Sequence, residues 1–135
     1  MLIDIKNRGQ IKLIDFGTAH NFDPVKRKMN AKHGTAYYVA PEVIEASKYH
    51  SYNEKCDIWS IGIILYMMLC GRPPWDGRNE QSIIMKIVNG GPVSFRGSFW
   101  EMISSEAKDF IDKLLERDVS KRPSAVDALS HPWIT

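Results

Sequence analysis

Asp15-Phe16-Gly17 follows a β-prone run, Ile11-Lys12-Leu13-Ile14, so the sequence delivers a carboxylate at a strand end. A hard cation with few protein ligands asks for a carboxylate held on a rigid element of this kind. Standing alone, the same aspartate reads as a solvated turn residue. Three further groups draw attention: Ala40-Pro41-Glu42, Asp57-Ile58-Trp59-Ser60-Ile61-Gly62 and Arg122-Pro123. Asp57 opens the most apolar stretch of the chain, where an aspartate ordinarily caps a helix by accepting from first-turn N–H groups. The four histidines are scattered, and neither Cys56 nor Cys70 has zinc-type spacing.

The elements that must position these residues are mostly helical. Met1-Leu2-Ile3-Asp4 and Ile11 to Ile14, around Asn7-Arg8-Gly9, read as a small hairpin ending at Asp15. Thr18 to Thr35 lacks apolar periodicity and is broken by Asp23-Pro24, which makes it a loop long enough to be functional or mobile. Pro41 to about Ala46 suits a short helix with proline in its first turn. Asp57 to about Cys70 is apolar on nearly every side and is expected to be buried all round, ended by Gly71-Arg72-Pro73-Pro74. Helices are also expected at about Glu80 to Asn89, Ser105 to Arg117 and Ala125 to Ser130. The last begins with a capping-box pattern at Ser124 and Asp127, and His131-Pro132 stops it.

Composition narrows the class. The chain has 135 residues, enough for one compact domain. With 44% hydrophobic and 25% charged residues it is ordinary for a globular protein. A net charge of +2 with interspersed signs gives no nucleic-acid footprint. The first residues do not form a signal peptide, and the window from Trp59 to Cys70 is too short to span a bilayer, so a soluble, cytoplasmic protein is expected. The two cysteines read as reduced core thiols.

The four motifs, in their order and spacing, resemble the second half of a protein kinase catalytic domain. The resemblance covers essentially all of residues 1–135 and implies a mainly α, incomplete kinase C-lobe: a helical bundle around one buried helix, with a small N-terminal β-hairpin. Gly34-Thr35-Ala36-Tyr37-Tyr38-Val39-Ala40-Pro41-Glu42-Val43 and Gly71-Arg72-Pro73-Pro74-Trp75-Asp76-Gly77 bring it nearest to calcium/calmodulin-dependent and calcium-dependent kinases. Ser105 to Ile111 and Lys121 to Ala125 carry the same likeness. By this resemblance Asp15 holds the Mg²⁺ that bridges the β- and γ-phosphates of ATP. Phe16 would pack inward and Gly17 would let the backbone turn sharply, completing the cofactor-binding set. Gly34, Thr35 and Tyr38 would dock the acceptor, with Gly-Thr favouring serine and threonine hydroxyls. Glu42 and Arg122 would form a buried ion pair beneath the docking loop, since the guanidinium fork suits a carboxylate. Asp57 would hold the catalytic loop's backbone, a role compatible with capping. Ile64 and Met68 match positions supporting the adenine-side stack, although core packing explains them equally.

Departures from the pattern matter as much. No Gly-rich loop, strand lysine or His-Arg-Asp catalytic loop is present, so no residue serves as the catalytic base. Met67 replaces the glutamate that often reads arginine upstream of the acceptor. Ala19 to Gly34 contains no Ser, Thr or Tyr, and Ala31 stands where an activating phosphate commonly sits. Calcium-sensing EF-hand loops, expected in such relatives, are absent from the sequence. Two functional readings stay open. One is part of an ATP-dependent serine/threonine kinase acting on proteins, lacking its N-lobe and inactive by itself; the other is a catalytically dead kinase-like binding module. Chance motifs on an unrelated helical domain are the remote third. With the helices that precede this segment in a kinase missing, the apolar helix should expose a patch, and the isolated chain is expected to self-associate.

Overall fold

The computed structural model describes residues 2–4, 10–17, 19, 36–46 and 51–135. Two short strands, β1 (Leu2–Asp4) and β2 (Gln10–Lys12), pair antiparallel with Ile3 opposite Ile11. Among the described residues six helices follow: α1 (Pro41–Ile44), α2 (Lys55–Cys70), α3 (Glu80–Asn89), α4 (Ser98–Glu101), α5 (Ser105–Leu114) and α6 (Ala125–Leu129). The mainly helical architecture with one hairpin is the expected one.

Local chemistry explains most boundaries. Pro41 stands at the first turn of α1, where its missing N–H has no partner to lose, and Ala40 before it is extended. Gly71 closes α2 in the left-handed region, φ 74°, and its N–H bonds the Met67 carbonyl. Asn79 and Ser82 form a reciprocal capping box on α3, as Ser124 and Asp127 do on α6. Helix α5 stops at Leu114, short of the expected Arg117, because Arg117 is drawn off to another helix end. The one-turn α4, which no periodicity announced, starts after Gly97 and buries Trp100.

The core forms where α2 and α5 pack. Trp59, Ile63, Ile87, Trp100, Ile111 and Leu115 belong to one buried cluster. A satellite of Ile58, Phe110 and Leu114 holds the C-terminal Trp133. Gly62 makes the close approach possible: a Cβ there would lie 2.8 Å from Leu115 Cδ2 and 2.9 Å from Leu114 Cβ.

Burial of α2 departs from expectation. Ile58, Trp59, Ile63 and Tyr66 are buried, but Asp57, Ile61, Ile64 and Met68 are exposed, Met68 to 75%. These four fall at i, i+4, i+7 and i+11, one continuous face. The apolar pattern specifies what each face prefers, and the described elements cover only one side of the helix. The stripe is an exposed apolar patch.

Candidate functional site

Asp15 is exposed and lies in the left-handed region, φ 64°, alone in this among described non-glycine residues. Such backbone costs an L-residue about 1–2 kcal/mol, with aspartate among the types that tolerate it best. Strain of this sort gathers at ligand sites. The chain then closes a turn through the Ala19 N–H and the Phe16 carbonyl at 3.0 Å. The sharp change of direction is therefore taken by Asp15, whereas Gly17 has no positive φ, which corrects the expected division of labour. A Cβ on Gly17 would sit 3.4 Å from Asp15 Oδ1, an ordinary contact. Phe16 is also corrected: the residue is 69% exposed rather than packed inward.

The carboxylate of Asp15 has no hydrogen-bond or ion-pair partner among the described residues. It fits Mg²⁺ as a single oxygen ligand, since that ion keeps most of its waters and takes one or two carboxylates beside substrate phosphates. No cluster of three or more metal-ligating side chains occurs among the described residues. Gly34 and Thr35 lie outside the described residues, as do the loop positions around Ala31.

The segment leading into α1 is tied down from several directions. Ala36 and Ala40 are buried, with Tyr37, Tyr38 and Val39 half-buried between them. The Ser60 hydroxyl, on α2, donates to the Tyr38 carbonyl at 2.9 Å, with the Cys56 carbonyl 3.3 Å away. The Tyr37 hydroxyl donates to Asp76 Oδ1 at 3.2 Å. Burial, and then the hydrogen bond to Asp76, push the Tyr37 phenol above its ordinary range, so it stays a donor near neutrality.

Beneath this segment the structure brings Glu42 and Arg122 together. The two terminal nitrogens of Arg122 reach Oε1 and Oε2 of Glu42 at 2.6 and 3.0 Å. The Arg122 side chain is fully buried and that of Glu42 is 15% exposed. Its remaining donors are used as well, Nε on the Glu116 carbonyl and Nη1 on the Lys55 carbonyl. Lys55 Nζ returns the contact by donating to the Val119 and Arg122 carbonyls. Every charge is thus matched by fixed dipoles, the condition under which a buried pair is tolerated. The guanidinium also lies 5.2 Å from the centroid of the Trp59 ring.

Asp57 is not the helix cap. Glu54 takes the N-cap position without a side-chain bond, and Asn53 Oδ1 accepts from the Lys55 N–H at 3.0 Å. Asp57 stands in the first turn, its carboxylate on the same exposed face as Ile61, Ile64 and Met68. Next to it, burial first, then Asp57 and Glu42, push the Cys56 thiol up to about 12. Cys56 and Cys70 are both free, half-buried thiols.

The family model for the protein kinase domain matches residues 1–134. The chain belongs to the protein kinase family. Calcium-dependent protein kinase 4 of Plasmodium falciparum (isolate 3D7) is 46% identical over 136 residues, 99% of this chain and 25% of that protein. Calcium-dependent protein kinase 3 of Plasmodium yoelii yoelii is 42% identical over 133 residues, 98% of the chain and 24% of the relative. CDPK-related kinase 5 of Arabidopsis thaliana is 44% identical over 129 residues, 96% of the chain and 20% of the relative. The kinase segment spans about a quarter or less of each of these proteins.

Sequence reasoning missed three residues of this kinase segment. Ser60 and Asp76 each tether the pre-α1 segment, and Arg117 closes the end of α3. Arg117 donates to the carbonyls of Ile87, Val88, Lys86 and Gly91 while its guanidinium lies over Trp75. Ile87 and Val88 are in the last turn of α3, where carbonyls lack intrahelical partners and a cation is favoured. Each contact joins residues far apart in sequence, so no local pattern could have announced them.

Proposed function

We propose that this chain is the acceptor-docking and magnesium-holding part of an ATP-dependent serine/threonine kinase, transferring the γ-phosphate of ATP to hydroxyls of proteins. The observation that carries the reading is Asp15, a carboxylate with no partner among the described residues, held out on strained backbone within a segment that matches the kinase family over residues 1–134. Magnesium, when bound, would neutralise charge on the β- and γ-phosphates. Asp15 would supply the protein ligand. Gly34, Thr35 and Tyr38 would receive the acceptor, with Tyr38 fixed by Ser60. Glu42 and Arg122 would keep that segment seated on α2. Asp57, exposed on α2 with its Oδ1 accepting from the Cys56 thiol at 3.9 Å, would accept N–H groups from a catalytic-loop backbone.

The relatives' names add a regulatory element to the proposal: the kinase carrying this chain responds to calcium through a domain outside residues 1–135. No described helix is long and apolar enough to cross a membrane, which agrees with a cytoplasmic kinase drawing on cytoplasmic ATP. The complete kinase, assayed with radiolabelled ATP, should label serine and threonine peptides and spare tyrosine peptides, with a rate that falls on calcium chelation. The segment alone should bind nucleotide with Mg²⁺ and transfer nothing, since it has no group to orient the acceptor hydroxyl. A complete kinase that binds ATP without transfer would favour the catalytically dead module instead.

A further inference from the structure

Tyr37 and Asp76 come from different parts of the chain and meet in a single hydrogen bond at 3.2 Å. Asp76 is itself held at both of its polar ends. Its Oδ1 also accepts from the Gly77 N–H at 2.7 Å, and its carbonyl accepts from Lys86 Nζ on α3. The side chain is thus a fixed post on the turn between α2 and α3. The neighbouring carbonyl of Tyr38 is held separately by Ser60 on α2. One residue of the pre-α1 segment is therefore clamped to α2 and the next to the α3 turn. Two tethers from two elements define both the height and the tilt of a loop, where one would leave it free to rotate. Beyond Asp76 lies a wide open cleft of about 630 Å³, lined by Asp76, Gly77, Arg78, Asn79, Ser82 and Lys86.

We propose that Asp76 is a positioning residue for phosphoacceptor docking, acting through the Tyr37 hydroxyl to fix the loop that receives the peptide. The proposal rests on the docking role given above to Gly34, Thr35 and Tyr38. It makes the α2–α3 turn part of acceptor recognition although Asp76 touches no reacting atom. Loss of the tether leaves the chemistry intact and lets the loop tilt, so the cost appears in acceptor affinity.

The test is steady-state kinetics of the complete kinase with a serine peptide. Tyr37→Phe removes only the hydroxyl and should raise the peptide KM about three- to tenfold, the worth of one ordinary exposed hydrogen bond. The KM for ATP, kcat and the melting temperature should not move. Asp76→Ala should match Tyr37→Phe, the double variant should be no worse than either, and Asp76→Asn, which keeps an acceptor oxygen, should restore the peptide KM. An unchanged peptide KM in Tyr37→Phe, additive losses in the double variant, or a parallel rise in the KM for ATP each overturns the proposal. A wild-type kinase that labels no peptide removes instead the docking role on which it rests, and the proposal falls with it.

Discussion

The carboxylate of Glu42 is gripped by both terminal nitrogens of Arg122, at 2.6 and 3.0 Å, across 80 residues of sequence. The guanidinium is buried and spends its other donors on backbone carbonyls, so the pair works as a bolt between α1 and the turn before α6. Breaking one side strands a buried charge, and Arg122→Ala should cost about 3–5 kcal/mol of stability. Arg122→Lys should recover little, because an ammonium cannot reach both oxygens and the Glu116 and Lys55 carbonyls together. Urea unfolding of the kinase carrying each change would measure this; a midpoint unmoved in Arg122→Ala would mean the pair adds nothing.

Gly62→Ala tests the packing of α2 on α5. The added methyl meets Leu114 and Leu115 below 3 Å, so one helix must shift. A loss of about 1–3 kcal/mol is expected, despite alanine's better helix propensity. A stabilised Gly62→Ala variant, measured by calorimetry, would mean that the interface can yield.

Asp15→Gly separates strain from ligand binding. Glycine relieves the left-handed backbone but carries more unfolded-state entropy, two effects of about 1 kcal/mol that oppose each other. Stability should stay near wild type, while the extra thermal shift that Mg²⁺ adds to ATP should vanish, as it should in Asp15→Asn. A magnesium-linked shift that survives both changes would assign the metal elsewhere.

These outcomes bear on how far the fold could be read from the residues. Helix α3 was legible because its Ile83, Ile84, Ile87 and Val88 are helically spaced and Gly90-Gly91-Pro92 stops it, and α6 was legible through Ser124 and Asp127. Helix α4 was invisible, being a single turn with no room for a period. Capping, the ordinary alternative for Asp57, fails because sequence gives the type of residue near a helix start but not the register of the first turn. The burial of α2 was overread for a different reason: periodicity reports which faces are apolar, while coverage depends on elements from elsewhere. Asp15 and Arg122 stand in motifs that the sequence displays locally. Ser60, Asp76 and Arg117 act through contacts that only folding creates.

Cys56 gives a pH prediction with a definite sign. Its folded pKa is raised from about 9 to about 12, so the folded state keeps the proton that the unfolded chain releases. Its contribution to stability is fully present below about pH 9 and is lost as pH rises toward 12. Alkylation of Cys56 by iodoacetamide, followed by mass spectrometry, should keep accelerating through pH 9 to 11. A plateau near pH 9 would show an ordinary exposed thiol.

The exposed face of α2 predicts the behaviour of residues 1–135 in isolation. Ile61, Ile64 and Met68 together form an apolar stripe of the kind that drives association. Sedimentation should show concentration-dependent oligomers, and Ile61→Glu with Met68→Glu should return monomers. Wild-type protein that sediments as a monomer at all concentrations would refute it.

Trp59 and Trp75 lie with ring centroids 5.4 Å apart and only 6° between planes. Arg122 flanks the first ring, and Arg117 lies over the second. Two indoles this close share their electronic excitation. The protein therefore carries a built-in optical gauge, since this ring stacking exists only while the turn after α2 is folded back on the helix. Spectroscopy can thus follow the closing of that turn in the unmodified chain, without an added dye.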